Sequence, residues 1–470
     1  MNNSQPLPVS EQLGDAEPHE MPTDMGQLLR QGHTRLQQED EALYSLLEQE
    51  FQRQQTSLNL VASSSVVDPT THACMASVAA NVTAEGYPGR RYQGGCEVID
   101  EIELLAIERA KVAFRAEFAN VQTHSASIAN EMLLLRLLEP GDVILGMRLD
   151  AGGHLTHGAG ASVSGKRFRA VGYGVTAEGF IDYSQVRDLA LAHRPKLLIC
   201  GATAYPRHID FQRFREIADE VGALLLADIT HVAGLVAARL HPSPLPHAHL
   251  VTTCTHKQLY GPRGGLILLG PDRSGLWKGD VSLEDEVQRG VFPYFQGAPV
   301  PNVIAAKARA FHRLTTPWFR ELALRIKANA GDLATGLAQR GCAIVSGGTD
   351  NHLVMVDVAS SYGLTGIVAQ KALERCRINV NKNAIPNDAK SVAIASGIRL
   401  GSNTTSLRGF GSAEMEQCAD LVDRVLRAAK QRGERDYSLD EQVAAQVEGE
   451  VVQLCRRHPM DGYPVTGGPE

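Results

Sequence analysis

A lysine beside a glycine-rich turn has the clearest chemical potential in this chain. Lys257 follows a short run of β-branched residues, and Gly261, Gly264 and Gly265 come soon after it. Burial at the end of such a strand would lower the pKa of the amine, and a lysine with a lowered pKa is nucleophilic toward carbonyl carbons. A lysine that points into water is the simpler alternative, and this stretch alone would favour it. The other motifs must decide between the two.

An aspartate is placed to cooperate with this lysine. Asp228 ends an apolar run, and ligands of parallel sheets bind at the carboxyl ends of the strands. A carboxylate that faces a pyridine nitrogen keeps that nitrogen protonated and makes the ring an electron acceptor. Asp228 could instead cap a helix, but its position one strand before Lys257 favours a cofactor. The pair predicts a site for pyridoxal phosphate (PLP).

Four further stretches carry polar groups that suit such a site. Residues 124–130, HSASIAN, begin a helix whose free N–H groups could bind phosphate, although serines there are often only caps. His154 could stack on an aromatic ring or could be an ordinary core histidine. Arg399 lies on a predicted strand between glycines and suits bidentate capture of a carboxylate. Glu85 lies in a Gly/Pro loop and is either an acid/base group or a solvated glutamate.

Pairs of histidines raise the question of a metal. His154 and His157 are three residues apart, and His247 and His249 are two apart. Protein metal sites need three or more suitable ligands, and no cysteine or carboxylate cluster completes either pair in the sequence. We therefore expect no metal site.

Length, charge and cysteine usage narrow the class of protein. A chain of 470 residues predicts two or three domains. The net charge of −7 gives no indication of a nucleic-acid or membrane partner, and no apolar run approaches the roughly 20 residues that span a bilayer. The eight cysteines are scattered without a C-x-x-C motif, and the first residues lack the order of a signal peptide. We expect reduced thiols and a cytoplasmic protein.

The hydrophobic pattern predicts an α/β fold. Short apolar runs alternate with amphipathic helices such as Tyr183–Ala192 and Phe211–Val221, which predicts a mostly parallel sheet covered on both faces. The predicted strands are Val143–Met147, Arg169–Tyr173, Lys196–Cys200, Ala223–Asp228, His249–Cys254 and Gly265–Leu269.

A smaller α+β domain is predicted after the sheet. Two long helices, Pro301–Leu314 and Trp318–Arg340, lead away from it. The segments predicted to form this domain are the strands Cys342–Val345, His352–Val358 and Arg377–Val380 and the helices Ala413–Arg432 and Asp440–Arg456. Together with helical spacing from Met25 to Gln55, the pattern predicts a flexible N-terminal extension (1–24), a helical arm (25–60), a large PLP-binding domain (61–310) and a small C-terminal domain (311–470).

The motifs stand in the order found in one family. They are LVAS at 60–63, AEGYPGRRY at 84–92, GGCE at 94–97, ANVQTHSASIAN at 119–130, GGHLTHG at 152–158, DITHVAGLVAA at 228–238, PHAHLVTTCTHKQLYGPRGGLIL at 246–268, VNKNAIPND at 380–388 and SGIRLG at 396–401. From about residue 40 to 430 the chain resembles serine hydroxymethyltransferase, a PLP-dependent enzyme of fold type I. The resemblance implies a homodimer with shared active sites, in which dimers can pair into tetramers.

The resemblance also implies roles for individual residues. Lys257 would bind PLP covalently, Asp228 would pair with the pyridine nitrogen, and His154 would stack on the ring. The remaining cofactor residues would be Ser125, Ala126, Ser127 and His256 around the phosphate, Gly297 reaching it from a second subunit, and Thr203 and His231 near the phenolic oxygen. Arg399 and Ser63 would bind the substrate carboxylate, and Glu85 and Tyr92 would come from the partner subunit. The folate candidates are Leu149, Gly153, Leu155 and Asn383.

Departures from the family pattern bear on the substrate. Thr83 and Gln93 stand where the family has tyrosines, and Ala393 replaces a phenylalanine of the folate-side loop. Threonine at position 83 would enlarge the pocket beside the substrate α-carbon, so we expect a catalytic role for Thr83 in admitting a quaternary carbon. The enzyme would then convert α-methylserine to alanine and a one-carbon unit.

Other functions stay open at this point. The chain could carry out the ordinary serine–glycine reaction with tetrahydrofolate, or it could be a threonine-type aldolase or transaldolase. Tetrahydrofolate is a possible co-substrate, because the folate positions are kept in part. A binding protein without activity fits poorly, because Lys257, Asp228, Arg399 and Glu85 are all present.

Overall fold

The structure is a computed structural model that describes residues 22–460 and 462–463, without the side chains of residues 276–278. Residues 1–21 of the predicted N-terminal extension lie outside the described part. The described chain forms two compact units that divide after Glu50. No helix in this part of the chain is long and apolar enough to span a bilayer.

The first unit is helical, as predicted, but the helix is interrupted. Helix Met25–Glu39 ends before Asp40, and a second helix, Glu41–Gln55, begins after it. The Asp40 carboxylate accepts a hydrogen bond from the backbone N–H of Leu43 at 3.1 Å. An aspartate that caps a helix start in this way stabilises a new helix. The hydrophobic spacing continues across Asp40, so the spacing alone predicted one helix where the structure has two.

A seven-stranded sheet forms the centre of the second unit. Its strands, in chain order, are β1 (Phe118–Asn120), β2 (Val143–Met147), β3 (Arg169–Tyr173), β4 (Leu197–Gly201), β5 (Leu224–Asp228), β6 (Leu250–Cys254) and β7 (Gly265–Leu269). They lie in the order β1-β7-β6-β5-β4-β2-β3. Strands β2 to β6 are parallel to one another, and β7 is antiparallel to both β1 and β6. The predicted mostly parallel sheet is confirmed, and β1 is an added strand.

The two faces of the sheet bury different cores. Leu225 and Ala227 of β5 belong to one hydrophobic cluster, and Leu224 and Leu226 belong to another. Alternate side chains of a strand point to opposite faces, so a continuous apolar run indicates a strand that is covered on both sides. Helices such as Ala126–Leu137 and Phe211–Val221 supply the cover.

A four-stranded antiparallel sheet forms a second core. Its strands are β8 (Ala343–Ile344), β9 (Leu353–Asp357), β10 (Asn381–Asn383) and β11 (Gly397–Gly401), in the order β8-β9-β11-β10. Helices including Gly366–Arg375 and Ser412–Ala428 pack on it through a separate hydrophobic cluster. The α+β character predicted for this part is confirmed, and the boundaries at residues 60 and 310 stay a prediction.

Two predicted elements of this region are wrong in detail. The strand predicted at Arg377–Val380 is reduced to Ile378–Asn379 and pairs with Leu58–Asn59 in a sheet of its own. The helix predicted to Arg432 ends at Ala428, because Ala429–Gln431 pairs with Tyr437–Leu439. In both cases a partner distant in sequence decides the structure, and local periodicity cannot indicate that partner.

The remaining elements connect these sheets. The other helices of the second unit are Pro69–Met75, Glu97–Phe114, Val163–Arg167, Tyr183–His193, Ala233–Ala237, Leu283–Arg289, Pro301–Leu314, Pro317–Gln339, Val358–Tyr362, Asn403–Leu407 and Glu441–Arg457. Shorter turns of helix are Val78–Asn81, Leu149–Ala151, Leu155–His157, Pro271–Ser274, Gly290–Phe295 and Val345–Gly347. Two small hairpins are Gly86–Tyr87 with Arg90–Arg91 and Leu276–Lys278 with Val281–Ser282.

A buried lysine fixes the backbone near the end of β1. Lys307 lies on helix Pro301–Leu314 and is only 1% exposed. Its ammonium donates to the carbonyl oxygens of Val121, Thr123 and Gly265 at 2.6, 3.0 and 2.8 Å. Burial lowers the pKa of Lys307 to about 7, but three carbonyl acceptors match the three donors of an ammonium. The cation therefore holds the segment that leads to residues 124–130.

Replacing this ammonium should destabilise the fold measurably. Lys307→Met would leave three buried carbonyl oxygens without a donor, so we expect the free energy of unfolding to fall by about 3 kcal/mol. Urea unfolding followed by circular dichroism measures the change. The control is Lys196→Met at an exposed lysine, which should stay within about 0.5 kcal/mol of the original protein. Equal stability of the two variants would contradict the role of Lys307.

Candidate active site

A buried aspartate lies at the carboxyl end of a central strand. Asp228 ends β5 and is 7% exposed. One carboxylate oxygen, Oδ2, lies 3.1 Å from His157 Nε2 and accepts from Asn130 Nδ2 at 2.8 Å, while Oδ1 accepts from the Thr230 N–H at 3.0 Å. Burial alone would raise the pKa of Asp228, but the hydrogen bond and charge of His157 hold it well below its usual range. The group is a fixed carboxylate.

An asparagine links this aspartate to the residues around it. Asn130 Nδ2 donates to Asp228 and, at 2.9 Å, to Thr156 Oγ1. Its Oδ1 accepts from the Thr252 hydroxyl at 2.6 Å, and Thr252 lies opposite Asp228 in the register of β5 and β6. Because both ends of the amide are used, the network admits one orientation of Asn130.

His154 is held as a neutral ring. Its Nδ1 accepts from the Thr156 N–H at 3.2 Å and lies 2.8 Å from the Thr156 hydroxyl. Burial lowers the pKa of His154 to about 4, so the proton of the neutral ring belongs on Nε2. A neutral ring that Thr156 fixes through Nδ1 is suited to stacking on a planar cofactor.

Lys257 lies beyond the end of β6, next to the end of β5 that carries Asp228. Its Nζ is 3.1 Å from Nε2 of His231. Burial lowers the pKa of Lys257, and burial together with the charge of Lys257 holds the pKa of His231 well below its usual value. A lowered pKa raises the share of lysine present as the free amine, which is the form that carbonyl chemistry needs.

Arg399 is buried on β11 with part of its guanidinium unused. Its Nε donates to Asn381 Oδ1 at 3.1 Å, and its Nη1 donates to the carbonyl oxygen of Thr203. Burial lowers the pKa of Arg399 to about 10, which still leaves a cation near neutral pH. Nη2 has no hydrogen-bond partner among the described residues, so it can bind a ligand carboxylate.

Three of the folate candidates lie in residues 149–155, a segment whose carbonyl oxygens contact the Thr203 hydroxyl. The Thr203 hydroxyl lies 3.1 and 3.0 Å from the carbonyl oxygens of Gly152 and Gly153. Gly153 is buried, and a side chain there would lie 2.0 Å from the Met147 carbonyl oxygen. The other candidates differ in exposure: Leu149 and Leu155 are exposed, and Asn383 is partly buried with its amide donating to Ala384 O at 2.7 Å.

The residues predicted around a phosphate lie at a helix start. Ser125 caps helix Ala126–Leu137 and accepts from the Ile128 N–H at 3.1 Å. Ala126 is buried, whereas Ser127 is exposed. The free N–H groups of a helix start attract anions.

Two other predicted residues lie near the lysine loop. Burial lowers the pKa of His256 to about 4, and its Nδ1 is buried without a partner among the described residues. The His256 carbonyl oxygen accepts from the Ser65 hydroxyl at 2.6 Å. Ser63, two residues before Ser65, is partly buried.

Glu85 belongs to a separate group of residues. Gln93 Oε1 accepts from the Glu85 N–H at 2.9 Å, and Gln93 Nε2 donates to Glu85 Oε2 at 2.8 Å. A side chain at Gly297 would lie 3.3 Å from Glu85 Oε1. Tyr92 is 76% exposed and contacts Phe292 edge to face, and Thr83 is exposed.

An arginine fixes the backbone on both sides of Glu85. Arg91 Nη1 donates to the carbonyl oxygens of Ala84 and Gly86 at 3.0 and 2.8 Å. Its other nitrogens pair with Asp100 at 2.8 Å and with the buried Glu103 at 2.6 Å. Arg91 therefore ties the loop that carries Glu85 to two carboxylates of helix Glu97–Phe114.

The predicted residues thus form two groups. His154, Asp228, Lys257, His231, Arg399 and Thr203 lie around the ends of the sheet strands, while Thr83, Glu85, Tyr92 and Gly297 lie around the loop of Arg91. No hydrogen bond or ion pair among the described residues connects Glu85 with Lys257.

The expectation that no carboxylate completes a histidine pair is wrong. A carboxylate does complete one histidine pair, since ligand atoms of His154, His157 and Asp228 all lie within 4.8 Å of one another. The sequence shows no sign of this group because Asp228 is far from the two histidines along the chain. The protein itself already supplies hydrogen bonds to both Asp228 oxygens. That no metal binds stays a prediction.

Several residues of both groups were not predicted from the sequence. Asn130 and His157 fix Asp228, and Arg91 and Gln93 fix Glu85. Asn130, His157 and Arg91 lie within the motifs at 119–130, 152–158 and 84–92, and Gln93 directly follows the last of these. Their place in or beside these motifs could have marked them as functional residues. Their contacts with Asp228 and Glu85 could not be predicted, because those contacts depend on the tertiary structure.

The first group suits PLP. Lys257 supplies an amine with a lowered pKa, Asp228 supplies a carboxylate fixed at a strand end, and His154 supplies a neutral ring. Buried polar atoms without a partner among the described residues, His231 Nδ1 and His256 Nδ1, leave capacity for a polar ligand. These are the donors and acceptors that an aromatic aldehyde with a phosphate needs.

Comparison with known proteins identifies the family. The family model "Serine hydroxymethyltransferase" matches residues 36–422. A curated serine hydroxymethyltransferase from Zymomonas mobilis subsp. mobilis is 49% identical over 431 residues, which cover 92% of this chain and 97% of that protein. Members use PLP and take tetrahydrofolate as co-substrate, in agreement with the predicted cofactors. The chain belongs to the serine hydroxymethyltransferase family of PLP-dependent enzymes of fold type I.

Proposed function

We propose that this enzyme interconverts serine and glycine and passes the one-carbon unit to tetrahydrofolate. The observation that carries this proposal is the 49% identity with a curated serine hydroxymethyltransferase along nearly the whole length of both chains. It favours the ordinary reaction of the family over the α-methylserine reaction that the substitutions at Thr83 and Gln93 suggest.

The first group of residues would bind the cofactor and the amino acid. Lys257 would hold PLP and release it to the substrate amine, and Asp228 would keep a proton on the pyridine nitrogen. When bound, PLP accepts the electron pair that the broken Cα–Cβ bond leaves. Arg399 Nη2 would bind the substrate carboxylate, which orients the bond that breaks.

Glu85 would handle the proton of the substrate hydroxyl. As the Cα–Cβ bond breaks, the hydroxyl loses its proton and becomes the carbonyl of formaldehyde. A carboxylate within hydrogen-bond reach can take that proton. Glu85 Oε1 has no hydrogen-bond partner among the described residues, so it is available for this role.

Two chains would assemble one active site, because Glu85 and Lys257 lie in separate groups. Helix Glu97–Phe114 supports a homodimer. Its Val98, Leu105 and Val112 recur every seven residues and are 71%, 46% and 65% exposed. An exposed apolar stripe on one helix face is typical of an interface.

We further propose that the enzyme acts in the cytoplasm. All eight cysteines are free thiols, and seven of them are buried. Unpaired cysteines in a long chain favour a reducing compartment.

A second candidate is the α-methylserine reaction. Thr83 lies two residues before Glu85 and is exposed. Its side chain is much smaller than the tyrosine that the family has at this position. A pocket with threonine here has room for a methyl group on the substrate α-carbon. The same assay can test both functions.

Product formation separates the candidate functions. We expect purified enzyme to form glycine from L-serine in the presence of tetrahydrofolate, at least about tenfold faster than alanine from α-methylserine. Both enantiomers of α-methylserine are tested, with and without tetrahydrofolate, and products are quantified by chromatography. Alanine as the faster product would contradict the serine proposal. Acetaldehyde from threonine without folate, formed faster than glycine from serine, would instead favour an aldolase.

The pocket at position 83 is tested by substitution. Thr83→Tyr adds a phenol ring, so it should lower the rate with α-methylserine relative to the rate with L-serine by about tenfold or more, as steric exclusion of one methyl group implies. The ratio of the two kcat/KM values is measured. Thr335→Tyr, at an exposed threonine of helix Pro317–Gln339, is the control and should leave the ratio unchanged. A ratio that Thr83→Tyr leaves unaltered would refute the enlarged pocket.

A further inference from the structure

The side chain of Gln93 makes an unusual pair of contacts with a single residue. Its Oε1 accepts from the backbone N–H of Glu85 at 2.9 Å, and its Nε2 donates to Glu85 Oε2 at 2.8 Å. The Tyr92 N–H also donates to the Glu85 carbonyl oxygen at 3.1 Å. The amide therefore connects the backbone and the carboxylate of the same glutamate.

The two contacts determine which carboxylate oxygen is free. Gln93 uses Oε2, and Oε1 points toward Gly297, where a side chain would lie 3.3 Å away. Glycine at position 297 leaves that space open. Oε1 thus has room for the hydroxyl of a ligand, while Oε2 is held in place.

The surroundings of the loop leave the carboxylate dependent on Gln93. The charged groups bound to the loop are Arg91, Asp100 and Glu103. Arg91 contacts the carbonyl oxygens of Ala84 and Gly86, not the Glu85 carboxylate. The backbone is fixed by Arg91, and among the described residues the carboxylate receives its one hydrogen bond from Gln93.

We propose that Gln93 is a positioning residue for the reaction, because its amide holds Glu85 Oε2 so that Oε1 meets the hydroxyl of the substrate. This inference rests on the proposed function of Glu85 in moving the hydroxyl proton. The amide has a carbonyl group that accepts from the Glu85 N–H and an NH₂ group that donates to the Glu85 carboxylate, so one side chain serves both. A leucine makes neither contact, and a glutamate places a second negative charge beside the first.

Three variants test this role. Gln93→Leu removes both contacts at similar size, and Gln93→Glu keeps an acceptor but introduces the second charge. Gln453→Leu changes an exposed glutamine of helix Glu441–Arg457 and is the control. Circular dichroism and the visible absorbance of the bound cofactor show that each variant is folded and loaded.

Serine cleavage should respond strongly to the loss of the amide. For Gln93→Leu we expect kcat to fall by about 10- to 100-fold with little change in KM, because a misplaced acid/base group loses most of its effect. The acidic limb of the kcat/KM profile should move up by about one to two pH units, because the ionised carboxylate loses a hydrogen bond. Gln93→Glu should move the limb at least as far through repulsion between two carboxylates.

A second reaction separates positioning from a direct role. Exchange of the glycine α-proton with solvent, followed by nuclear magnetic resonance, involves no substrate hydroxyl. It should change by less than about twofold in Gln93→Leu if Gln93 acts through Glu85. An equal fall in exchange and cleavage would overturn the inference, since Gln93 would then act at the α-carbon. Unchanged cleavage and an unmoved acidic limb in both variants would also overturn it.

A double-mutant cycle distinguishes failure of this inference from failure of the proposed function. If Glu85→Gln keeps full serine cleavage, the proposed role of Glu85 is wrong and the inference falls with it. If Glu85→Gln is impaired, Gln93→Leu should cause no further loss of kcat in the Glu85→Gln background, because both changes act on one group. Independent, multiplicative losses would overturn the inference while leaving the role of Glu85 intact.

Discussion

The candidate active site depends on one carboxylate that stays charged inside the protein. Burial opposes the charge of Asp228, and hydrogen bonds from His157, Asn130 and the Thr230 N–H offset that cost. The network extends through Thr156 to His154, so the ring and the carboxylate are fixed by the same contacts. Because Asp228 and Lys257 follow neighbouring parallel strands, the sheet itself sets their separation.

Buried cations that bind backbone carbonyl oxygens recur in the structure. Lys307 holds the segment that leads to the helix start at Ser125, and Arg91 holds the loop on both sides of Glu85. Arg399 contacts the carbonyl oxygen of Thr203 in the same manner. Loops that carry functional groups are usually the mobile parts of an enzyme. Here Lys307 and Arg399 fix loops from other elements, and Arg91 fixes its own hairpin, which gives precise positions to groups outside regular structure.

The sequence predicted the strands of the large sheet well, for physical reasons. Runs such as 224–226, LLL, are buried on both faces, so composition alone indicates a strand. Motif order indicated the family and with it Lys257, Asp228 and Arg399. The sequence could not predict that Asp228 completes a group with His154 and His157, because that group forms across distant segments. It also could not distinguish substrates, since Thr83, Gln93 and Ala393 depart from the family pattern while the other quoted motifs keep it.

The central claim is that each active site combines Lys257 of one chain with Glu85 of another. Lys257→Ala and Glu85→Gln should each be nearly inactive in serine cleavage. When the two variants are unfolded, mixed in equal amounts and refolded with PLP, half of the dimers are hybrids, and each hybrid has one intact site. The account predicts recovery of about a quarter of the original activity, as two-fold symmetry requires. Failure of the mixture to exceed its separate components, with hybrids present, would show that both residues act within one chain.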